Sequence, residues 1–192
     1  MATLTRERIL DRALELVARE GVRRFSASEL ARRLGVVKGA LYHHFPDGKD
    51  EIVNAVFDRE EERLLAAEGA AAVGATATRE RLLAIAVTSV RELVRMARLF
   101  RVDEDIADEL HGFLVAKRRS YLARERALIA RVLDEGMAAG EVKSVDPALA
   151  AAAVQGAMQQ VARVWMGSSA EDPSSALAAL AEMFLGGIGG RP

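Results

Sequence analysis

The stretch SASELARRLGVVKGALYHHF, from Ser26 to Phe45, constrains the fold of this chain more than any other. Ser26 and Glu29 make the pattern S-x-x-E, in which the serine oxygen accepts a backbone N–H of the first helical turn and the glutamate reaches back to the serine N–H. A helix is predicted to start there, with Leu30, Ala31 and Leu34 inward, Arg32 and Arg33 outward, and Gly35 as its stop. A second helix is predicted from Val37. Its Leu41 and Phe45, four apart, share one face, which leaves Gly39 and His43 opposite and Ala40 and Tyr42 on the flanks.

Two short helices joined at a glycine, the second presenting small, polar and aromatic side chains, have the pattern of a DNA-binding helix-turn-helix. A helix fits the major groove. Gly39 and Ala40 let its first turn come close to base edges, His43 can donate or accept there, Lys38 and Lys49 can neutralise phosphates, and Tyr42 offers a hydroxyl. The alternative is that Tyr42 and His43 merely cover a hydrophobic surface.

Charge sharpens the choice. The formal net charge is -1, so attraction to a polyanion must come from a local patch. Between Arg19 and Lys38 the bases Arg19, Arg23, Arg24, Arg32, Arg33 and Lys38 face only Glu20 and Glu29, a basic island on a neutral protein. The absence of cysteine removes disulfides, thiolate metal sites and cysteine nucleophiles, and fits a reducing compartment, with the cytoplasm as the default. No apolar run reaches the roughly 18 residues of a membrane span, and Met1 to Arg12 carries arginines without the apolar block of a signal peptide.

On either side of the opening stretch the periodicity is helical. Ile9, Ala13, Leu16 and Val17 make one stripe over Arg6 to Glu20, closed by Gly21 as a left-handed cap, and Val22 and Phe25 are predicted to turn inward. After Phe45, a helix is predicted over Asp50 to Glu68, with Ile52, Val53, Val56, Phe57, Leu64 and Leu65 inward and the acidic run Asp58 to Glu62 solvated. Gly69 to Thr78 reads as a connection.

Arg6 to Phe57 resembles the N-terminal domain of the TetR (tetracycline repressor) family of transcriptional regulators, through RILDRALELVAREGVRRFSASELARRLGVVKGALYHHFPDGKDEIVNAVF. The resemblance implies an all-α fold of about nine helices: three DNA-binding helices, a fourth connecting helix, and a helical regulatory domain that dimerises and binds a small-molecule inducer. On it, residues 1–51 form the helix-turn-helix domain and residues 52–192 the ligand-binding and dimerisation domain. It also implies DNA contacts from Lys38, Ala40, Tyr42 and His43, and a phosphate contact from Lys49. Two departures stand out. Val37 occupies the place of a capping Ser or Thr and can neither cap nor touch a phosphate, a loss of about 1 kcal/mol in a typical helix. Pro46 to Lys49 carries one residue more than the commonest turn of the family, which bears on Lys49.

The remainder reads as further helices: Arg79 to Arg101, a short acidic one over Asp103 to His111, a long one over Phe113 to Ala139 closed by Gly140, one from Pro147 to Met166 capped by Asp146, and a last one from Pro173 to Leu185. Asp108 and His111 have the i, i+3 spacing of a bundle metal pair, but a single pair does not make such a site, and no metal or cofactor is expected. The last two helices are Ala-rich, and a symmetric pair of them would form a four-helix interface. A dimer is also what groove reading requires, because two recognition helices roughly 34–36 Å apart read a palindrome. For an effector pocket the larger side chains Met96, Phe100, Phe113, Tyr121, Met158 and Trp165 are the candidates, and they favour an apolar or aromatic ligand.

Enzymatic chemistry has little to stand on. The three histidines are His43, His44 and His111, and there is neither a Gly-rich phosphate loop nor a serine in a nucleophile elbow. The expected function is a ligand-responsive repressor that binds a palindromic operator as a dimer. The alternative is a helical protein-interaction module without DNA binding.

Overall fold

The computed structural model describes the backbone of residues 4–99, 104–166 and 174–179, and the side chains of these except 97–99, 104–118 and 166. Within them lie α1 (Arg6–Glu20), α2 (Ala27–Leu34), α3 (Lys38–His44), α4 (Lys49–Val73), α5 (Thr78–Leu99), α6 (Glu104–Ala138) and α7 (Pro147–Met166). A further helical segment covers 174–179. The fold is all-α, as the periodicity predicts. Among the described residues no helix is long and apolar enough to cross a membrane.

Where the observed helices differ from the expected ones, glycine proves too weak to stop them. α4 continues through Gly69 to Val73, and α6 runs unbroken from Glu104 past Gly112, merging the two helices expected on either side of it. An interior glycine costs about 1 kcal/mol relative to alanine, and flanking residues such as Ala70, Ala71, Ala72 and Leu114 are strong helix formers. The merger lowers the expected total of about nine helices to eight among the described residues.

The chain divides into two compact units, one running through Glu62, the other opening at Arg63 within α4. In the first, Ile9, Leu10, Ala13, Leu16 and Val17 of α1 are buried together with Leu30, Ala31 and Leu34 of α2, Leu41, Phe45, and Ile52, Val53 and Val56 of α4. Phe25 is buried as expected. Gly21 takes a positive φ of 81° with an extended ψ of 159°, outside the left-handed helical region predicted for it.

The acidic run on α4 is not a simple solvated face. Glu60 is buried, and Arg59 Nη1 reaches Asp11 Oδ1 at 2.8 Å and Glu7 Oε2 at 3.3 Å, tying α4 to α1. The buried positions Val56, Glu60, Leu64, Glu68 and Ala72 recur every fourth residue, so one inward stripe of this helix carries two carboxylates.

In the second unit Leu82, Ile85, Ala86, Val90 and Val94 of α5 form a core with Ile129, Val132 and Leu133 of α6 and Ala151, Met158 and Ala162 of α7. The start of α5 is capped from a distance: Glu141 Oε2 accepts the Thr78 N–H at 2.7 Å, which holds the Glu141 carboxyl below its usual range. Asp146 Oδ1 caps α7 by accepting from the Ala148 and Leu149 N–H groups at 2.8 and 3.1 Å.

Candidate nucleic-acid interface

The helix-turn-helix is built from local capping. Ser26 Oγ accepts the Glu29 N–H at 3.5 Å, and Gly35, at φ 69° and ψ 34°, ends α2 in the left-handed region while the Val36 N–H returns to Ala31 O at 3.0 Å. The second half of the expected capping box is replaced. Rather than reaching back to Ser26, the Glu29 carboxylate accepts from Arg32 Nε and Nη2, both at 2.7 Å, and from Arg33 Nε at 2.7 Å. Hydrogen bonding from Arg32 lowers the Glu29 pKa. Arg33 also reaches Glu20 at 3.3 Å, and Glu20 in turn meets Arg19 at 2.9 Å. Much of the basic island is therefore neutralised internally, while Arg24 and Lys38 stand exposed.

α3 is anchored by Leu41 and Phe45, both fully buried. Its outer surface comprises Val37, Lys38, Gly39, Tyr42 and His43, all exposed, with Ala40 half-buried beside them. Val37 is 76% exposed at the N-cap and makes no side-chain cap, in agreement with its lack of a hydroxyl. The Lys38 ammonium stands 5.4 Å from the centre of the Tyr42 ring, a cation–π distance that holds the two side chains side by side. A Cβ built on Gly39 would meet nothing of this chain within 4 Å. Nothing in the fold requires a glycine there.

Lys49 is placed differently from the other candidates. It is half-buried at the start of α4, and its Nζ donates to the Arg23 carbonyl at 3.1 Å, so this ammonium also holds the α1–α2 connection. The interface includes a support that sequence reasoning missed. Arg6 of α1 donates to His44 O at 2.9 Å, lies 4.1 Å over the Phe45 ring and meets Glu51 at 3.8 Å, fastening the end of α3 to both neighbouring helices. Its position at the first turn of α1 gives no sequence signal for that role, because the partner carbonyl lies 38 residues away.

The six expected effector residues are less uniform. Tyr121 and Met158 are buried, Met96 and Trp165 are half-buried, the Phe113 side chain lies outside the described residues, and Phe100 lies outside them altogether. The side chains of Asp108 and His111 also lie outside them; among the described residues no group of three potential metal ligands occurs. Sequence reasoning missed the polar company of Tyr121: Glu68, Ser89, Glu125 and Gln155, all buried. The four-residue stripe of α4 that places Glu68 behind Leu64 was the available signal.

Residues 9–56 match the family described as bacterial regulatory proteins, tetR family. The HTH-type transcriptional regulator SrpR of Pseudomonas putida is 46% identical over 52 residues, which make up 27% of this chain and 24% of SrpR. The chain thus aligns with about a quarter of that relative's length. Across the whole fold, a transcriptional regulator from Cytophaga hutchinsonii superimposes with a TM-score of 0.80 at 18% identity, covering 95% of this chain and 97% of that one. The Bacillus subtilis regulator FadR, solved in complex with stearoyl-CoA, superimposes with a TM-score of 0.73 at 21% identity, covering 96% and 100%. With its capped α2, its glycine turn and its outward-facing α3 all inside the matched span, this part of the chain is similar to the tetR family of bacterial regulatory proteins.

Proposed function

We propose that the protein is a ligand-responsive repressor of transcription that binds a palindromic operator as a homodimer and is released by a small, largely apolar effector. The observation that carries the DNA-binding part is the bare outer face of α3. Gly39 sits in a seven-residue helix with no neighbour to justify it, flanked by exposed Lys38, Tyr42 and His43. A helical glycine disfavours the helix unless something outside the chain must come close, and a groove floor is such a thing.

Dimerisation is supported by the outer face of α7. Leu149 is 71% and Val164 64% exposed, and Ala153, Gly156 and Gln160 are exposed between them at helical spacing. Ala153 and Gly156, small residues between two exposed apolar ones, fit close packing against a symmetric copy. An effector acts on operator affinity only through its differential affinity for the two arrangements of the paired recognition helices.

Selection of bound sequences from a random duplex pool, followed by anisotropy titrations across salt, tests the reading. A palindrome with half-sites about one helical turn apart, and affinity that falls steeply with salt, is expected. Absence of any salt-dependent duplex binding would instead support a helical interaction module.

A further inference from the structure

The basic island of the first unit separates into cations that already hold a carboxylate and cations that do not. Arg19 meets Glu20 at 2.9 Å and Arg32 meets Glu29 at 2.7 Å, while Arg33 bridges the two, at 3.3 Å from Glu20 and 2.7 Å from Glu29. Arg23 is engaged as well. Arg24 is different. Its guanidinium is exposed and has neither an ion pair nor a hydrogen bond among the described residues.

Pairing decides what each cation can offer a phosphate. Arg32 or Arg33 can grip one only by loosening its hold on a carboxylate, which then stays beside the new anion and repels it. One charge-assisted contact is exchanged for another, with little net gain. Arg24 gives up only water, and its planar fork of N–H donors matches two phosphate oxygens at once.

The backbone holds Arg24 at the edge of the α3 surface. Lys49 Nζ donates at 3.1 Å to the Arg23 carbonyl, which belongs to the peptide bond leading into Arg24. On the other side Phe25 is buried, and its N–H closes onto Gly21 O at 3.1 Å. Lys49 in turn follows Gly48, whose backbone lies against the Tyr42 ring. A continuous series of contacts and covalent bonds therefore runs from exposed Tyr42 through Gly48 and Lys49 to Arg24. The Lys49 ammonium is half-buried and already donates to a carbonyl, so the free cationic head at this edge is Arg24.

We propose that Arg24 is a phosphate ligand, gripping the operator backbone beside the groove that α3 enters, and that Arg19, Arg32 and Arg33 are not. This rests on the proposed DNA reading and adds to it a contact from the α1–α2 connection. A phosphate contact carries no base preference, so Arg24 sets affinity and salt dependence rather than sequence choice.

The test uses the full-length protein and anisotropy titrations of its selected duplex and a random duplex across a series of salt concentrations. Arg24→Gln is expected to lower the slope of log affinity against log salt by about 0.9 for each bound protomer. It should weaken both duplexes by the same factor and leave the melting temperature unchanged. Arg32→Gln removes the same charge from the same island and is expected to leave the slope as it is. Arg24→Lys keeps the charge and is expected to keep the wild-type slope. An unchanged slope in Arg24→Gln overturns the proposal. An equal fall in Arg32→Gln also overturns it, because the island would then act as diffuse charge, and so does an equal fall in Arg24→Lys, which would trace the loss to a disturbed connection. Wild-type protein that binds no duplex in a salt-dependent way defeats the regulator reading and Arg24 with it, whereas salt-dependent wild-type binding with an unchanged Arg24→Gln slope defeats Arg24 alone.

Discussion

Gly48 lies directly against the ring of Tyr42: a Cβ at Gly48 would stand 3.0 Å from Tyr42 Cε1. Gly48 also has a φ of 74°, and its N–H closes the turn onto Phe45 O at 3.0 Å. The turn after α3 thus supports exposed Tyr42, a member of the proposed DNA-facing surface, from behind. Gly48→Ala should destabilise the protein by about 1–2 kcal/mol through backbone strain and should weaken operator binding by displacing Tyr42. Thermal melts and anisotropy on the same preparation check both, and a change in stability with full DNA affinity would separate Tyr42 from the interface.

Gly39→Ala should act in opposite directions on the two properties. An alanine in this helix is favoured by up to about 1 kcal/mol, and the added methyl meets nothing in the free protein. It should therefore raise the melting temperature while lowering affinity for the selected duplex. Equal or tighter binding would mean that α3 does not approach the groove floor at its first turn.

Val37→Ser supplies the missing cap. The N-cap backbone is already extended, at φ -73° and ψ 146°, so a serine hydroxyl can accept a first-turn N–H without rearrangement. A stabilisation of about 1 kcal/mol is expected, with tighter DNA binding through a new phosphate contact. Unchanged or weaker affinity would argue against the docking assumed for α3.

His43→Ala and Lys49→Ala should differ in kind. His43 is exposed on the outer face, so its loss should relax sequence preference, measured by comparing the selected duplex with single-base variants. Lys49 should weaken binding to all duplexes alike. Because its ammonium also holds the Arg23 carbonyl, Lys49→Ala should in addition loosen the α1–α2 connection, seen as faster amide exchange there.

Glu68 makes stability depend on pH. Its carboxyl has an ordinary value of 4.5 and is pushed up to about 8 in the fold by burial and by the nearby Glu125 charge, so between those values the folded state holds a proton that the unfolded state has lost. Its contribution is fully present below pH 4.5, declines as pH rises, and is gone above about 8. The slope is at most about 1.4 kcal/mol per pH unit. Glu68→Gln should flatten denaturation midpoints measured across that window, and a wild-type profile already flat there would contradict a protonated Glu68.

The amino-acid order alone determined whatever depends on neighbours a few residues apart. The Ser26 cap, the Gly35 stop, the buried pair Leu41 and Phe45, the Asp146 cap and the bare N-terminus of α3 at Val37 are all local, set by hydrogen bonds and side-chain spacing within one or two turns. Tertiary structure decided where long side chains find their partners. It brought Arg33 back to Glu20, drew Arg6 across to His44 and Phe45, and gave Lys49 a carbonyl 26 residues away. It also brought Glu68, Ser89, Glu125 and Gln155 together from four helices. A charged residue on an inward stripe looks like any other until the packing of its neighbours fixes what faces it, because burial and pairing are properties of the assembled core.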